Sequence, residues 1–468
     1  MRVLRLPYVL ALCAAIAGLA ACNSSTPSSV GGAAYNPQPN TASSPSPIQH
    51  VVIMVQENRS FNDFFATYPG SDGTTTGNAV PNPYCSPPIY GGPIALTKEP
   101  LLVSHDMNHS FHTGYTVAKD AGKWDAFDTI KYNGGQGLPE CYEPYEYTDP
   151  SQIQAYWTLA QQYALAEHMF STQGSDSFTA HQDLIAGTTV VEPKKAMVDL
   201  PGCSGPKCYW GCDAPNGTRT HLVTSTNKWV KAKLGPAPCS NKFPTPYPTL
   251  RDLLDAKYVS WKYYVPPKST DFGKLMNAFD VIYPVRYGPE WGTNVTWPET
   301  NIFNDISGGT LPAVSWVIPE ANDSDHPGYS QDIGPDWVAT VVNAIGESPY
   351  WNSTAIIIVW DDWGGFYDNV APPILNYGGL GLRVPALIVS PYARPGYIST
   401  TQYEFGSILK YVENNFGLGS LGTTDQRANS IIDSFNYNQT PIQFQPITSS
   451  HDKAYFMHQR PTNSLDGD

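Results

Sequence analysis

The sequence predicts an α/β fold in which a mostly parallel central sheet has helices on both faces. Short, almost wholly apolar runs recur along the chain, and such runs are typical of strands buried on both faces of a parallel sheet. Segments that fit helices lie between them, and repeated units of strand, loop and helix favour this architecture. With 468 residues, of which 41% are hydrophobic, the chain can bury a large core.

The positions of the elements follow from local patterns. Strands are predicted at 48–56, 259–265, 311–318, 355–360 and 383–390. Helices are predicted at 152–169, 178–186, 250–257, 274–278, 337–345 and 406–415. In the first helix Ile153, Tyr156 and Ala160 recur at spacings of three and four, which is typical of a core-facing side. We expect one α/β domain over 48–445 and a polar, loosely ordered tail over 446–468.

The N-terminus has the pattern of a secretion signal. Arg2 and Arg5 precede an apolar run over 6–17, and small residues before Cys22 provide a cleavage site. This ending resembles the bacterial lipoprotein signal, in which 1–21 is removed and Cys22 is lipidated; an ordinary secretory signal is the alternative. Residues 22–47 are rich in Ser, Pro, Asn and Gly, which predicts a flexible tether. We therefore expect a lipid anchor in the bacterial cell envelope, in the periplasm or on the outer surface.

The charge of the chain argues against nucleic acid as a partner. Its 27 Lys and Arg residues stand against 41 Asp and Glu residues, for a net charge of −14. Binding to a phosphate backbone requires clustered Lys and Arg, and the sequence has no basic run. We therefore expect no nucleic-acid partner.

The cysteines fit an exported chain. Six follow Cys22, and an even number in such a chain predicts up to three disulfides, for which 15 pairings exist. We expect the pairs Cys85–Cys141, Cys203–Cys208 and Cys212–Cys239. A zinc cluster is the alternative, but no His or Cys pair follows at the spacing of a zinc finger. Four of the six cysteines lie in 188–244, which we predict to be a disulfide-tied, loop-rich insertion.

Two predicted strands end in polar side chains that suit a cation. Glu57 and Asn58 follow the strand at 48–56, and Asp361 and Asp362 follow the strand at 355–360. Ligands bind outside the carboxyl ends of strands in such sheets. Two carboxylates about 4 Å apart repel by about 4 kcal/mol at an effective dielectric constant of about 20, which a bound cation would offset. The alternatives are an Asp-rich turn and a helix cap at Asn58 or Ser60.

Ser177 lies at or just before the start of the helix at 178–186. The backbone N–H groups and the helix dipole there favour an oxyanion or a phosphate and would favour a serine alkoxide. The alternative is that Ser177 is only an N-cap. His109 belongs to a group of three histidines within eight residues, and His326 follows the strand at 311–318. Histidines grouped in a short polar stretch are candidates for proton transfer.

Four motifs resemble, in order, those of a known family. They are Glu-Asn-Arg-Ser-Phe at 57–61, Ser-Phe-Thr-Ala-His at 177–181, Asp-His-Pro at 325–327 and Asp-Asp-Trp-Gly-Gly-Phe-Tyr-Asp at 361–368. They resemble the motifs of the bacterial phosphoesterase family, which contains phospholipases C and acid phosphatases and belongs to the alkaline-phosphatase-like superfamily. The similarity extends from His50 to Leu418 and implies an alkaline-phosphatase-like fold.

The resemblance implies a metal-dependent hydrolase of phosphoric esters. It implies a site for one divalent metal ion formed by Glu57, Asn58, Ser177, Asp361 and Asp362. Ser177 would also be the nucleophile and form a phosphoseryl intermediate. His326 or His109 would donate a proton to the leaving oxygen or bind phosphoryl oxygens, and His181 is a secondary candidate. Oxygen ligands favour calcium, magnesium or manganese, with zinc as the alternative if a histidine binds the metal. The expected substrate is a phospholipid or a phosphomonoester.

The chain departs from the family pattern at three places. Asn62 stands where members commonly have Asp, Thr179 and Ala180 stand where they have Pro and Asn, and 404–406 reads Glu-Phe-Gly where they often have Asp-His-Thr. These departures affect an expected carboxylate and an expected histidine contact, and they leave Thr179 as an alternative nucleophile. The alternative function is a non-catalytic, metal-binding envelope lipoprotein with a binding or adhesive role. A Ser-His-Asp esterase is disfavoured because no Gly-x-Ser-x-Gly elbow follows a strand.

Overall fold

The computed structural model describes residues 46–103, 106–132, 138–202, 211–215, 217–231, 239 and 247–462. The predicted signal at 1–21, Cys22, most of the predicted tether and the predicted pair Cys203–Cys208 lie outside these residues. Within the described ranges, no helix is long and apolar enough to cross a membrane.

The strands and helices follow one another along most of the chain. The strands are β1 His50–Gln56, β2 Thr76–Asn82, β3 Ile89–Ala95, β4 Thr97–Glu99, β5 Glu146–Thr148, β6 Ala164–Ala166, β7 Met169–Phe170, β8 Val190–Glu192, β9 Lys195–Gly202, β10 Arg219–Thr224, β11 Trp229–Val230, β12 Trp261–Tyr264, β13 Val295–Thr296, β14 Val314–Val317, β15 Thr354–Trp360, β16 Ala386–Val389, β17 Tyr397–Ser399 and β18 Tyr403–Glu404. The α-helices are α1 Phe61–Phe65, α2 Thr116–Ala118, α3 Gln154–Gln162, α4 Ser177–Ala186, α5 Leu250–Ala256, α6 Asp271–Leu275, α7 Tyr283–Arg286, α8 Asn301–Gly308, α9 Gly334–Gly346, α10 Phe405–Phe416, α11 Thr424–Arg427 and α12 Lys453–His458.

Eight strands form the central sheet in the order β13-β12-β14-β1-β15-β16-β6-β17. Only β16 runs against its neighbours, β15 and β6, and the other neighbouring strands are parallel. Two groups of helices accompany the sheet: α3, α8 and α12 pack on α9, whereas α5 and α10 pack on α4. The predicted mostly parallel α/β fold is confirmed.

The two central strands bring the ends of two motifs together. All seven residues of β15 and six of the seven residues of β1 are buried, as their apolar sequences predict. Burying each large aliphatic side chain contributes about 1.5–3 kcal/mol. The parallel register pairs Val51 with Ala355 and Gln56 with Trp360. Because both strands end at the same level, the residues after Gln56 and after Trp360 leave the sheet side by side.

The helix predicted at 152–169 is wrong in its second half. Helix α3 ends at Gln162, and Tyr163 has φ −129° and ψ −142°, outside the helical region. Residues 164–166 instead form β6, which pairs with β16 and β17. A short apolar run is compatible with a helix or with a strand. Here pairing with strands on both sides stabilises the strand. The helix predicted at 274–278 lies earlier, as α6, and a separate 3-10 turn follows at Ala278–Val281.

The predicted insertion at 188–244 contains regular structure besides its loops. Strands β8 to β11 form a four-stranded antiparallel sheet. Two of the three predicted disulfides, Cys85–Cys141 and Cys212–Cys239, are present, and the second lies within this insertion. The strands of this sheet were not predicted from the sequence.

The predicted loosely ordered tail is folded over its described part. Helix α12 places Phe456 against Trp337 with ring centroids 5.3 Å apart, and Phe456 is 3% exposed. Asn343 exchanges two hydrogen bonds with the backbone of Ile447. A few apolar residues are therefore enough to dock a segment whose overall composition is polar.

Candidate active site

The two motifs that follow β1 and β15 meet as the parallel register requires. Glu57, Asn58, Asp361 and Asp362 are fully buried. The backbone N–H groups of Asn58 and Asp362 both donate to Asp361 Oδ1, at 2.9 and 2.7 Å. Gly364 has φ +59°, and a Cβ there would lie 2.0 Å from the carbonyl oxygen of Asn58. Only glycine therefore allows the two loops to come this close.

Ser177 is the first residue of α4 and faces both loops. Its Oγ lies 3.1 Å from Asn58 Oδ1 and 3.4 Å from Asp362 Oδ2. The N-cap of the helix is Asp176, so the interpretation of Ser177 as a mere cap is wrong. Thr179 Oγ1 donates to the carbonyl oxygen of Asp176 within the same turn, at 3.2 Å. Ser177, rather than Thr179, is thus the hydroxyl that contacts the other motifs.

His109 and His326 reach the same point from two further loops. Asn58 Nδ2 lies 3.3 Å from His109 Nε2 and 3.0 Å from His326 Nε2. In each ring Nδ1 lies 2.6 Å from a backbone carbonyl, that of Met107 for His109 and that of Pro327 for His326. A carbonyl only accepts, so Nδ1 carries the proton and Nε2 accepts from the Asn58 amide. His109 Nε2 also lies 3.7 Å from Asp362 Oδ2.

His181, the secondary candidate, contacts Glu57 and Asp361. Its Nε2 is 3.0 Å from Glu57 Oε1 and 3.8 Å from Asp361 Oδ2. It follows Ser177 by four residues, a spacing that places both side chains on one face of α4. That spacing was the signal in the sequence that could have given His181 equal rank with the other candidates.

The residues around His181 fit a divalent cation. One ligand atom each from Glu57, His181 and Asp361 lies within 4.8 Å of the other two. Among the described residues, the buried Oδ2 atom of Asp361 has no hydrogen-bond partner. Burying carboxylates without a compensating charge is costly, and a cation would supply that charge. The mixed set of oxygen and nitrogen donors suits manganese or zinc as well as magnesium.

A buried arginine connects the loops that carry Asn58 and His326. Arg59 donates through Nε to the carbonyl oxygen of Asp325 at 2.8 Å and through Nη1 to Asp63 at 3.2 Å. Asp325 Oδ2 accepts from Tyr156 Oη at 2.7 Å and from Trp360 Nε1, at the end of β15, at 3.0 Å. Both Asn58 and Asp325 have positive φ, +52° and +72°. Such strained backbone persists only where surrounding contacts hold it, as they do here.

Two of the three departures from the family pattern, Asn62 and Glu404, bond to residues outside this cluster. Asn62 accepts from the backbone of Thr74 at 2.7 Å. Glu404 forms two hydrogen bonds with Arg427, at 2.7 and 2.8 Å, and is therefore part of an ion pair. In the group of three histidines, His105 lies outside the described residues, and His112 stacks on Trp229 with centroids 4.0 Å apart.

Comparison with known proteins places the chain in a family. The model of the phosphoesterase family matches residues 48–419. The chain is 24% identical over 489 residues to the non-hemolytic phospholipase C of Pseudomonas aeruginosa, an alignment that covers 94% of this chain and 65% of that protein. This chain therefore spans less than two thirds of the length of that relative.

The chain is also similar to a second phospholipase C and to a solved structure. Phospholipase C A of Mycobacterium tuberculosis is 23% identical over 457 residues, covering 86% of this chain and 80% of that protein. A solved structure of a protein in the alkaline phosphatase superfamily from Vibrio parahaemolyticus has a TM-score of 0.38 and 12% identity, covering 83% of this chain and 73% of that chain. The match of the family model over 48–419 confirms what the four ordered motifs predicted: the chain belongs to the phosphoesterase family.

Proposed function

We propose that this protein is a metal-dependent hydrolase of phosphoric esters in which Ser177 is the nucleophile. The observation that carries the proposal is the placement of the Ser177 hydroxyl. It lies at the N-terminus of α4, 3.4 Å from the Asp362 carboxylate, beside a buried group of Glu57, His181 and Asp361. The membership of the phosphoesterase family and the names of the phospholipase C relatives support the same reaction class.

The metal would be held by Glu57, His181 and Asp361, whose ligand atoms lie within 4.8 Å of one another. Asn58, Ser177 and Asp362, which the family motifs imply as ligands and which are hydrogen-bonded to one another, would be further donors. A divalent cation bound there supplies Lewis acidity, which lowers the pKa of a serine hydroxyl and offsets charge on a phosphoryl group. Because the donors include both oxygen and nitrogen, manganese and zinc fit beside magnesium and calcium.

The protein's own residues account for the steps of the reaction. Ser177 Oγ attacks phosphorus as its proton passes through Asp362 to the accepting Nε2 atom of His109 or His326. That Nε2 atom then gives the proton to the ester oxygen as the bond between phosphorus and the leaving group breaks. The N–H groups at the start of α4 stabilise the phosphoryl oxygens. A water molecule then attacks the phosphoseryl group and gives its proton to the same Nε2 atom. The bond between phosphorus and Ser177 Oγ breaks, Oγ takes that proton back through Asp362, and phosphate ester or phosphate is released.

The substrate we favour is a phospholipid, cleaved between glycerol and phosphate as phospholipases C do. The support for this choice is the repeated phospholipase C name among the relatives; a phosphomonoester is the alternative substrate. We further propose that the chain is anchored in the bacterial cell envelope through a lipid on Cys22, as its N-terminal sequence predicts.

The test compares removal of the Ser177 hydroxyl with removal of the Thr179 hydroxyl. Ser177→Ala should abolish release of p-nitrophenol from its phosphate ester and of phosphocholine from phosphatidylcholine, in protein loaded in turn with each divalent metal. Thr179→Ala is the matched control, because its hydroxyl lies two residues further along the same helix and donates to the Asp176 carbonyl, and it should retain activity. Unchanged activity in Ser177→Ala would refute the assignment of the nucleophile. A wild-type protein that binds metal but hydrolyses no ester would support the alternative, a non-catalytic envelope lipoprotein.

A further inference from the structure

The hairpin formed by β2 and β3 has a composition that sets it apart from the rest of the chain. Residues 73–97 contain no Asp, Glu, Lys, Arg or His, although charged residues make up 15% of the chain and its net charge is −14. Five prolines, at 81, 83, 87, 88 and 93, stiffen the segment. The hairpin is therefore an uncharged segment of an acidic protein.

The tip of this hairpin exposes large aromatic side chains. Tyr84 is 83% exposed and Tyr90 is 87% exposed. Leu138, which is 60% exposed, precedes Cys141 by three residues, and the disulfide Cys85–Cys141 ties that segment to the tip. Apolar groups that are fixed together on a surface indicate an interaction site more often than scattered ones do.

One face of the hairpin, from beside the turn to the residue after β3, is packed beside the candidate active site. Ile89 and Leu96 are buried in a small second core that also contains Trp363 and Tyr367, from the motif that follows β15. Gly77 lies so close to Tyr367 that a Cβ there would be 3.1 Å from the ring. The hairpin is thus attached at the carboxyl end of the central sheet, which is the end that carries Ser177.

We propose that this hairpin docks the protein on a zwitterionic phospholipid surface. Tyrosine places an apolar ring among lipid headgroups while its hydroxyl stays in water, which is why it is enriched at membrane interfaces. An uncharged tip enters that layer without losing the hydration of a charge. The acidic remainder of the protein is repelled by anionic lipid, so a zwitterionic surface such as phosphatidylcholine fits best. The purpose of docking, access to lipid esters, rests on the proposed function, whereas the docking itself does not.

The first test reports docking without any catalysis. Tyr90→Cys in the full chain is labelled with a polarity-sensitive dye, and vesicles of phosphatidylcholine are added. We expect a shift of the emission to shorter wavelength. Tyr258→Cys is the matched control, since Tyr258 is 98% exposed and precedes β12, at the opposite end of the sheet, and its emission should stay unchanged. No shift at position 90, an equal shift at both positions, or a shift that requires anionic lipid would overturn the proposal.

The second test separates docking from chemistry. Tyr84→Ser with Tyr90→Ser should lower hydrolysis of phosphatidylcholine in vesicles by about tenfold. The same variant should hydrolyse soluble p-nitrophenyl phosphate at the wild-type rate, and Tyr258→Ser should match wild type on both substrates. An equal fall on both substrates would show that the tyrosines support the fold, against the proposal. If wild type hydrolyses neither ester, the proposed function fails, and the dye still decides whether the hairpin docks.

Discussion

The two halves of the candidate site differ in what surrounds their polar atoms. The carboxylate half consists of Glu57, His181 and Asp361. The hydroxyl half consists of Asn58, Ser177, Asp362, His109 and His326. In the carboxylate half, Asp361 keeps a buried oxygen without a hydrogen-bond partner among the described residues, whereas in the hydroxyl half Asn58 bonds to Ser177 and to both imidazoles.

This difference assigns metal binding to one half and proton transfer to the other, whereas the sequence motifs imply both roles for one set of residues. An excess of buried negative charge suits a cation, whereas a hydroxyl beside two imidazoles with accepting Nε2 atoms suits proton transfer and a phosphoryl group. The five residues predicted to bind the metal span both halves, and the backbone N–H of Asn58 joins the halves by donating to Asp361 at 2.9 Å. Variants in the carboxylate half should therefore lose metal affinity, and variants in the hydroxyl half should lose turnover.

The largest effect is expected from Asp361→Asn. The change removes a charge that would hold the cation, and turnover of p-nitrophenyl phosphate should fall by about a thousandfold, together with the metal content of the purified protein. In the absence of metal the substitution should be stabilising. The variant should melt at a higher temperature than metal-free wild type, because the repulsion between buried carboxylates is relieved. Wild-type turnover in this variant would exclude a metal in the carboxylate half.

His326→Gln should affect the hydroxyl half alone. We expect turnover to fall by about a hundredfold, because a group that transfers a proton to the leaving oxygen is lost. The dissociation constant of the metal, measured by calorimetry, should stay at the wild-type value. A weaker metal affinity would instead assign His326 to the metal site.

His181→Gln should weaken metal binding, which His326→Gln leaves unchanged. The affinity for the metal should fall by about tenfold to a hundredfold, and turnover at saturating metal should fall less than in His326→Gln. The two glutamine variants serve as controls for each other, since both remove an imidazole from a buried position. An unchanged metal affinity would remove His181 from the carboxylate half.

The smallest effect concerns a buried carboxyl outside both halves. Burial raises the pKa of Glu299 to about 8 from its ordinary value of 4.5, so the folded protein keeps this group neutral. As the pH rises, Glu299 ionises at a lower pH in the unfolded chain than in the folded protein. The free energy of unfolding therefore falls progressively between about pH 4.5 and pH 8. Glu299→Gln does not titrate, and its melting temperature at pH 8 should exceed that of wild type by roughly 4 °C. Melting curves at pH 5 and pH 8 check this, and an equal fall in both proteins would contradict it.

Much of the site follows from local sequence because parallel strands end at a shared edge. Glu57 with Asn58 and Asp361 with Asp362 were identifiable as the first residues after apolar runs, and the register of Gln56 with Trp360 brings them together. Ser177 was identifiable from the start of a helix. The half of the site to which each residue belongs was not identifiable, because it depends on side-chain directions in loops with positive φ, as at Asn58 and Asp325.

The sequence by itself determined the strands β1 and β15, the start of α4 and the family, since these depend on apolar runs and on motifs contiguous in the chain. Only the tertiary structure decided that 164–166 forms a strand, because its neighbours in the sheet are more than 200 residues away. It also placed His181 beside Glu57, across 124 residues of chain, and packed the uncharged hairpin against the motif after β15. Contacts at such separations depend on the whole packed core, which no local pattern encodes.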